Sequence, residues 1–149
     1  MALLEVRGLV TSYDTHRGPV RAVDGVSFNI EKGEFMGLAG ESGCGKSTVA
    51  YSLLGLIPPP GRVVSGQIIF KGTDLAIKDE DFMSKTRWRH ISMIFQQAMN
   101  ALNPVVKVGD QVAEAIMIHE KETTKKQALA RAGELFRLVG LDGNRLNDY

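Results

Sequence analysis

A chain of 149 residues is long enough for one domain with a real core, and its 44% hydrophobic and 23% charged residues are those of a soluble globular protein. A formal net charge of +1 excludes a strong sequence-independent grip on nucleic acid, which needs a basic excess. The single cysteine, Cys44, excludes an intrachain disulfide and fits a reducing compartment. The N-terminal stretch MALLEVRGLV is charged too early and apolar for too short a run to be a signal peptide. The weakly polar run from Val49 to Pro60 falls well short of the roughly 18 residues of a membrane span. The expectation is a cytoplasmic protein whose membrane association runs through a partner.

In chain order, Leu3 to Tyr13 predicts a strand and Thr15 to Pro19 a turn. Val20 to Ile30 predicts a second strand, with strict alternation at its end, and Glu31 to Glu34 a tight turn. The apolar run Phe35 to Ala39 predicts a buried strand leading straight into a glycine loop. A helix is predicted over Lys46 to Ile57, with Val49, Ala50, Leu53 and Leu54 on one face and Pro58 to Gly61 as its stop. Gln67 to Phe70 and Ile91 to Phe95 predict further strands, and Asp79 to Arg87 a short helix. The last third changes character. Val108, Val112, Ala115, Ile116 and His119 mark one helix; Ala128, Leu129, Ala132, Leu135, Phe136 and Val139 mark another. Thr124 and Gln127 form a capping-box pattern before the latter, and Gly140 stands where its C-terminal cap is expected. No internal repeat or low-complexity tract is visible.

The loop Gly40-Glu41-Ser42-Gly43-Cys44-Gly45-Lys46-Ser47 carries chemistry through its spacing Gly-x4-Gly-Lys-Ser. Glycines let successive N–H groups point into one concavity, and the following helix presents its partly positive N-terminus to the same place. Such a cradle binds the phosphates of a nucleotide. In it Lys46 reaches the β- and γ-phosphates and the Ser47 hydroxyl holds Mg²⁺. Cys44 is read as a small side chain pointing away from the phosphates rather than as a redox switch. His16, His90 and His119 have no metal-ligand spacing. Trp88 among Arg87, Arg89 and His90 reads as a short basic turn, not a nucleic-acid patch.

The segment Ala22 to Phe28, then Gly33-Glu34, then Gly40 to Thr48 resembles the start of an ABC-transporter ATPase subunit. Ile94-Phe95-Gln96 and Leu102-Asn103-Pro104 resemble that family's Q-loop region. Leu102-Asn103-Pro104 and Leu54 to Pro58 resemble its oligopeptide, dipeptide and nickel importer group, and Pro60 to Gly66 resembles one of the two paired ATPases of that group. The resemblance covers essentially all of the chain. It implies an α/β fold: a partial phosphate-loop ABC-ATPase core with an antiparallel β part over residues 1–104, and the start of a helical subdomain over 105–149. It implies ATP and Mg²⁺ as ligands, held by Gly40 to Thr48 with Ser47 at the metal. Tyr13 matches the aromatic that stacks on adenine, and Gln96 the glutamine that contacts Mg²⁺ and the attacking water. The family usually follows that glutamine with an acidic residue and a proline; Gln97 and Ala98 stand here instead, which puts loop stiffness and coupling in question.

The implied partners are transmembrane permease subunits, a second ATPase subunit and, indirectly, an extracytoplasmic solute-binding protein, at the cytoplasmic face of the membrane. The family's later motifs are not in this sequence: there is no clamp motif for the opposite subunit's ATP and no apolar run ending Asp-Glu. The chain therefore reads as the first half of a longer ATPase, expected to bind ATP without useful turnover. Its phosphate-loop strand is expected to lack a neighbour, which invites self-association unless the chain comes from a longer one. A guanine-nucleotide switch is disfavoured because no Asn-Lys-x-Asp motif occurs, and a small kinase because the Ala22 to Phe28 segment and the Gln96 region have no place in one. A non-hydrolysing nucleotide-binding module, or a nickel or other small-solute importer of the same group, stays open.

Overall fold

The structure, a computed structural model, describes residues 2–95 and 101–149. Its contacts divide into two units, Met1–Met93 and Ile94–Tyr149. The first is built on a hairpin: β1 (Leu4–Thr15) and β2 (Gly18–Ile30) pair antiparallel, with Leu4 opposite Ile30 and Thr15 opposite Gly18. β3 (Gly61–Phe70) pairs antiparallel with the other edge of β1, and the two-residue β4 (Thr73–Asp74) completes a sheet ordered β2-β1-β3-β4. The pairing of β1 slips between Val6 and Leu9, where Gly8 takes a left-handed φ of 54°. That bulge restores the apolar side chains to one face, so Leu4, Val6 and Leu9 are all buried.

Helix α1 (Lys46–Leu54) lies on this sheet through Val49 and Leu53, and α2 (Glu80–Thr86) adds Met83 to the same core. Arg87 ties the two helices together. Its Nε donates to Leu54 O at 2.8 Å, and its guanidinium pairs with Glu80. That hydrogen bond holds the exposed Glu80 carboxyl below its ordinary range.

Four expectations are corrected. Phe35 to Ala39 is not a strand; it is irregular, and Phe35 is fully exposed. A strand exists only where a neighbour takes its N–H and C=O groups, and among the described residues none pairs with this run. Ile91 to Phe95 likewise forms only an isolated bridge, Ile91 to Arg87. Helix α1 stops at Leu54 rather than Ile57, because Gly55, at φ 62°, turns left-handed before the prolines are reached. In the other direction β3 starts at Gly61, six residues before the predicted strand, since β1 offers it a ladder from Tyr13 onward.

The second unit pairs α3 (Val108–His119) with α4 (Lys125–Leu138), joined by a short turn. The side chain of Gln111 binds back to Asn103 and to Val106 O, so residues before α3 pack with the helices. Leu146, in a closing 3-10 turn (Gly143–Asn147), fits against Gly109 of α3, where a side chain would crowd it, and lies beside Gly133 of α4. The capping box is present: Thr124 Oγ1 accepts from Gln127 N, and Gln127 Oε1 accepts from Thr124 N at 2.9 Å. At the other end Gly140 N donates to Arg137 O and Leu141 N to Phe136 O, a left-handed closure at φ 78°. Ala128, Ala132 and Phe136 are buried as their spacing predicts, whereas Leu135 and Val139 are exposed. Thr124→Ala should destabilise the helical unit by about 1 kcal/mol. Urea unfolding followed by circular dichroism checks this, and Gln127→Ala in the same background should add less than it does alone.

Candidate functional site

The loop between β2 and α1 is exposed from Gly40 to Cys44 and closes onto the sheet at Gly45. Gly45 adopts φ 96°, and a Cβ there would stand 2.2 Å from Ala22 O of β2. Both the conformation and the contact require glycine. Gly45 O accepts the first turn's bond from Val49 N at 2.9 Å, so this one residue both docks the loop and starts the helix. No side chain caps that N-terminus and no acidic residue sits in its first turn, which leaves its positive end directed at the loop.

Within the loop Cys44 N donates to Glu41 O at 3.3 Å, forming a turn around Ser42 and Gly43. Lys46 reaches back over it: Nζ donates to Gly40 O at 2.8 Å and to Glu41 O at 2.6 Å, and lies 3.4 Å from Cys44 Sγ. The ammonium is thus held at the mouth of the loop by two carbonyls. Ser47 is exposed at the start of α1, with Thr48 partly buried beside it. Cys44 is exposed and its sulfur faces the lysine and Gly40.

The same contact brings Tyr13 to the loop's end of the sheet. Ala22, which touches Gly45, lies between Val20 and Val23 of β2; these pair with Tyr13 and Thr11 of β1. The Tyr13 ring is half-buried over Gly61, where a Cβ would come within 2.5 Å of it, and it shares that space with Ile57. Gln96 lies outside the described residues. The structure therefore gathers Tyr13, Gly40, Glu41, Ser42, Gly43, Cys44, Gly45, Lys46, Ser47 and Thr48 into one unit. Among the described residues no group of acidic, His or Cys side chains is arranged to hold a metal by itself.

Residues 23–148 match the family model described as ABC transporter. The chain belongs to the ABC transporter family. It is 46% identical over 140 residues to the oligopeptide transport ATP-binding protein OppD of Bacillus subtilis, covering 93% of this chain and 39% of that protein. It is 45% identical over 150 residues to the dipeptide transport ATP-binding protein DppD of the same organism, covering 99% and 44%. The chain thus spans about two fifths of the length of these relatives. Among solved structures it resembles the ATP-binding cassette MJ0796, solved as a dimer bound to ADP and Pi, with TM-score 0.79 at 21% identity over 97% of this chain and 60% of that one. That likeness establishes the ABC cassette fold, antiparallel β part and helical part included.

Two features of the site were not visible in the sequence. One is the Ala22 carbonyl, which no side-chain pattern announces. The other is the hydroxyl pair Thr11 and Ser52, buried under the loop helix; Ser52 lies outside the apolar face formed by Val49, Ala50, Leu53 and Leu54, so no periodic signal marks it. The Gly45 contact gives a direct test. Gly45→Ala should weaken binding of tripolyphosphate roughly tenfold or more, equivalent to about 1.4 kcal/mol. Gly18→Ala, also left-handed but facing open space, should leave it unchanged. Isothermal calorimetry on both variants checks this.

Proposed function

We propose that this chain is the ATP-binding part of an ABC importer ATPase that powers peptide uptake across the cytoplasmic membrane. The observation that carries it is Gly45 docked on Ala22 O, with Lys46 Nζ placed over the loop at the N-terminus of α1. A nucleotide's phosphates would replace the carbonyls of Gly40 and Glu41 as acceptors for Lys46, exchanging neutral acceptors for charged ones. Backbone N–H groups of the loop and first turn complete the cradle. Ser47, exposed at the first turn, and Gln96 would hold Mg²⁺, which supplies charge neutralisation between the phosphates. Tyr13 would take the adenine ring.

The names of the 43–46% identical relatives support oligopeptides or dipeptides as cargo; nickel or another small solute is the second reading within the group. The partners are transmembrane permease subunits and a second ATPase subunit, with an extracytoplasmic solute-binding protein acting through the permease. No helix among the described residues is long and apolar enough to cross a membrane, which is compatible with a peripheral place on the cytoplasmic face. No apolar run ending in Asp-Glu occurs in these 149 residues to supply a general base. The chain therefore holds ATP without turning it over at a useful rate. Its exposed Phe35, Met36 and Leu38 favour association with a second copy.

In a titration with MgATP the chain should bind, and Lys46→Ala should lose affinity by roughly tenfold or more. Equal affinities would refute the site. Steady-state phosphate release at whole-transporter rates would refute the lack of turnover. Phe35→Asp should lower the weight-average mass seen by light scattering.

A further inference from the structure

Beneath the phosphate loop two hydroxyls meet in an otherwise apolar core. Thr11 Oγ1 of β1 and Ser52 Oγ of α1 lie 2.9 Å apart, and the two residues are 0% and 3% exposed. Leu9, Val23 and Val49 are buried in the same core. Ser52 Oγ also donates to Thr48 O at 2.6 Å, one turn earlier in the helix, so Thr11 Oγ1 has to donate to Ser52 Oγ for both bonds to form. Neither position needs a hydroxyl for packing; Val and Ala fill the same space without a polar atom to satisfy. A buried polar pair of this kind specifies one arrangement rather than adding bulk stability.

What it specifies is the placement of the loop helix on the hairpin. The chain of bonds runs from Thr11, two residues before Tyr13, through Ser52 to the carbonyl of Thr48, the last residue of the phosphate loop. The Gly45 to Ala22 contact fixes the start of α1 on β2; the hydroxyl pair fixes its second turn on β1. Two fixed points on one hairpin set both the position of the helix along the sheet and its rotation about its own axis. We propose that Thr11 and Ser52 are positioning residues for the nucleotide: they set the span between the Tyr13 ring and the loop Gly40 to Thr48, so that base and phosphates are engaged together. Loss of the pair lets the helix turn or slide while Gly45 keeps the phosphate cradle formed. The base contact is then lost and the phosphate contact kept. This rests on the assignment of Tyr13 to adenine made above.

The test compares two probes, MgATP and magnesium tripolyphosphate, on the 149-residue chain by calorimetry. Thr11→Val keeps the shape and removes the bond; Ser52→Ala removes it from the helix side and keeps helix propensity; Thr11→Ser restores it. Thr11→Val and Ser52→Ala should each weaken MgATP roughly five-fold, the size of one hydrogen bond, and leave tripolyphosphate unchanged. The double variant should be no weaker than either single one, and Thr11→Ser should bind like the parent. An equal fall for both probes, or no change in either, overturns the proposal. If Thr11→Val does not fold by circular dichroism, Ser52→Ala decides alone. Tyr13→Ala separates the underlying reading: if it leaves the ratio of the two affinities untouched, the adenine assignment fails independently of Thr11 and Ser52.

Discussion

The approach of Gly45 to the Ala22 carbonyl is the constraint on which the site depends. A methyl group at 2.2 Å from a backbone oxygen cannot be accommodated by a side-chain rotation, because the oxygen belongs to the main chain of β2, which is paired to β1 through Arg21 and Val23 on either side of Ala22. The helix therefore begins where the β2 backbone permits, and its dipole points where that start aims it. The rest of the loop is tied mainly to itself, by Cys44 N to Glu41 O and by Lys46 to Gly40 and Glu41. One end is anchored and the other is self-bonded. A loop of this construction offers N–H groups in a fixed direction while its exposed crest, Glu41 to Cys44, stays open to a ligand.

Lys46 illustrates how such a loop is tied to itself. Two carbonyl acceptors satisfy the ammonium, and each bond is worth about 1 kcal/mol net because water competes for both partners. A phosphate offers charged acceptors at the same mouth, about twice as strong, together with the helix N-terminus at about 0.3–1 kcal/mol. In the proposed function that balance would favour exchange of acceptors over wholesale rearrangement of the loop. The side chain needs only to rotate, since its Cα is already fixed by the helix.

Legibility in the sequence followed the range of the interactions. The loop spacing, the capping box at Thr124 and Gln127, and the Gly140 closure depend on residues within a few positions of one another, and each was readable and is found. The hairpin was readable because alternation at Val26, Phe28 and Ile30 and the turn before it are local too. The extra length of β3 was not: Gly61 to Gly66 becomes strand only because β1 lies alongside, from Tyr13 to Gly61 through to Arg7 and Gln67. Nor were Ala22 and the Thr11–Ser52 pair, which join positions 23 and 41 residues apart by backbone or by small hydroxyls without periodicity. The α1 stop shows a competition within local signals: three prolines and a glycine mark an end, yet Gly55 reaches the left-handed region first.

Phe35 to Ala39 and Ile91 to Phe95 make the same point from the other side. Both are short apolar runs of the kind that fill buried strands, and both read so from composition. A helix can close its hydrogen bonds within its own segment, so α1 forms with nine residues of loop-flanked sequence on a half-covered sheet. A strand cannot; its N–H and C=O groups need a neighbour, and among the described residues none pairs with Phe35 to Ala39. Apolarity in these runs is thus a statement about the surface they are suited to meet, not about the conformation they hold alone. The exposed Phe35 sits five residues before Gly40, on the side of the phosphate loop that Ala22 does not hold. The loop's far end is set by β2 through Ala22, whereas among the described residues no strand pairs with its near end, Phe35 to Ala39, so the position of the loop rests on the β2 contact.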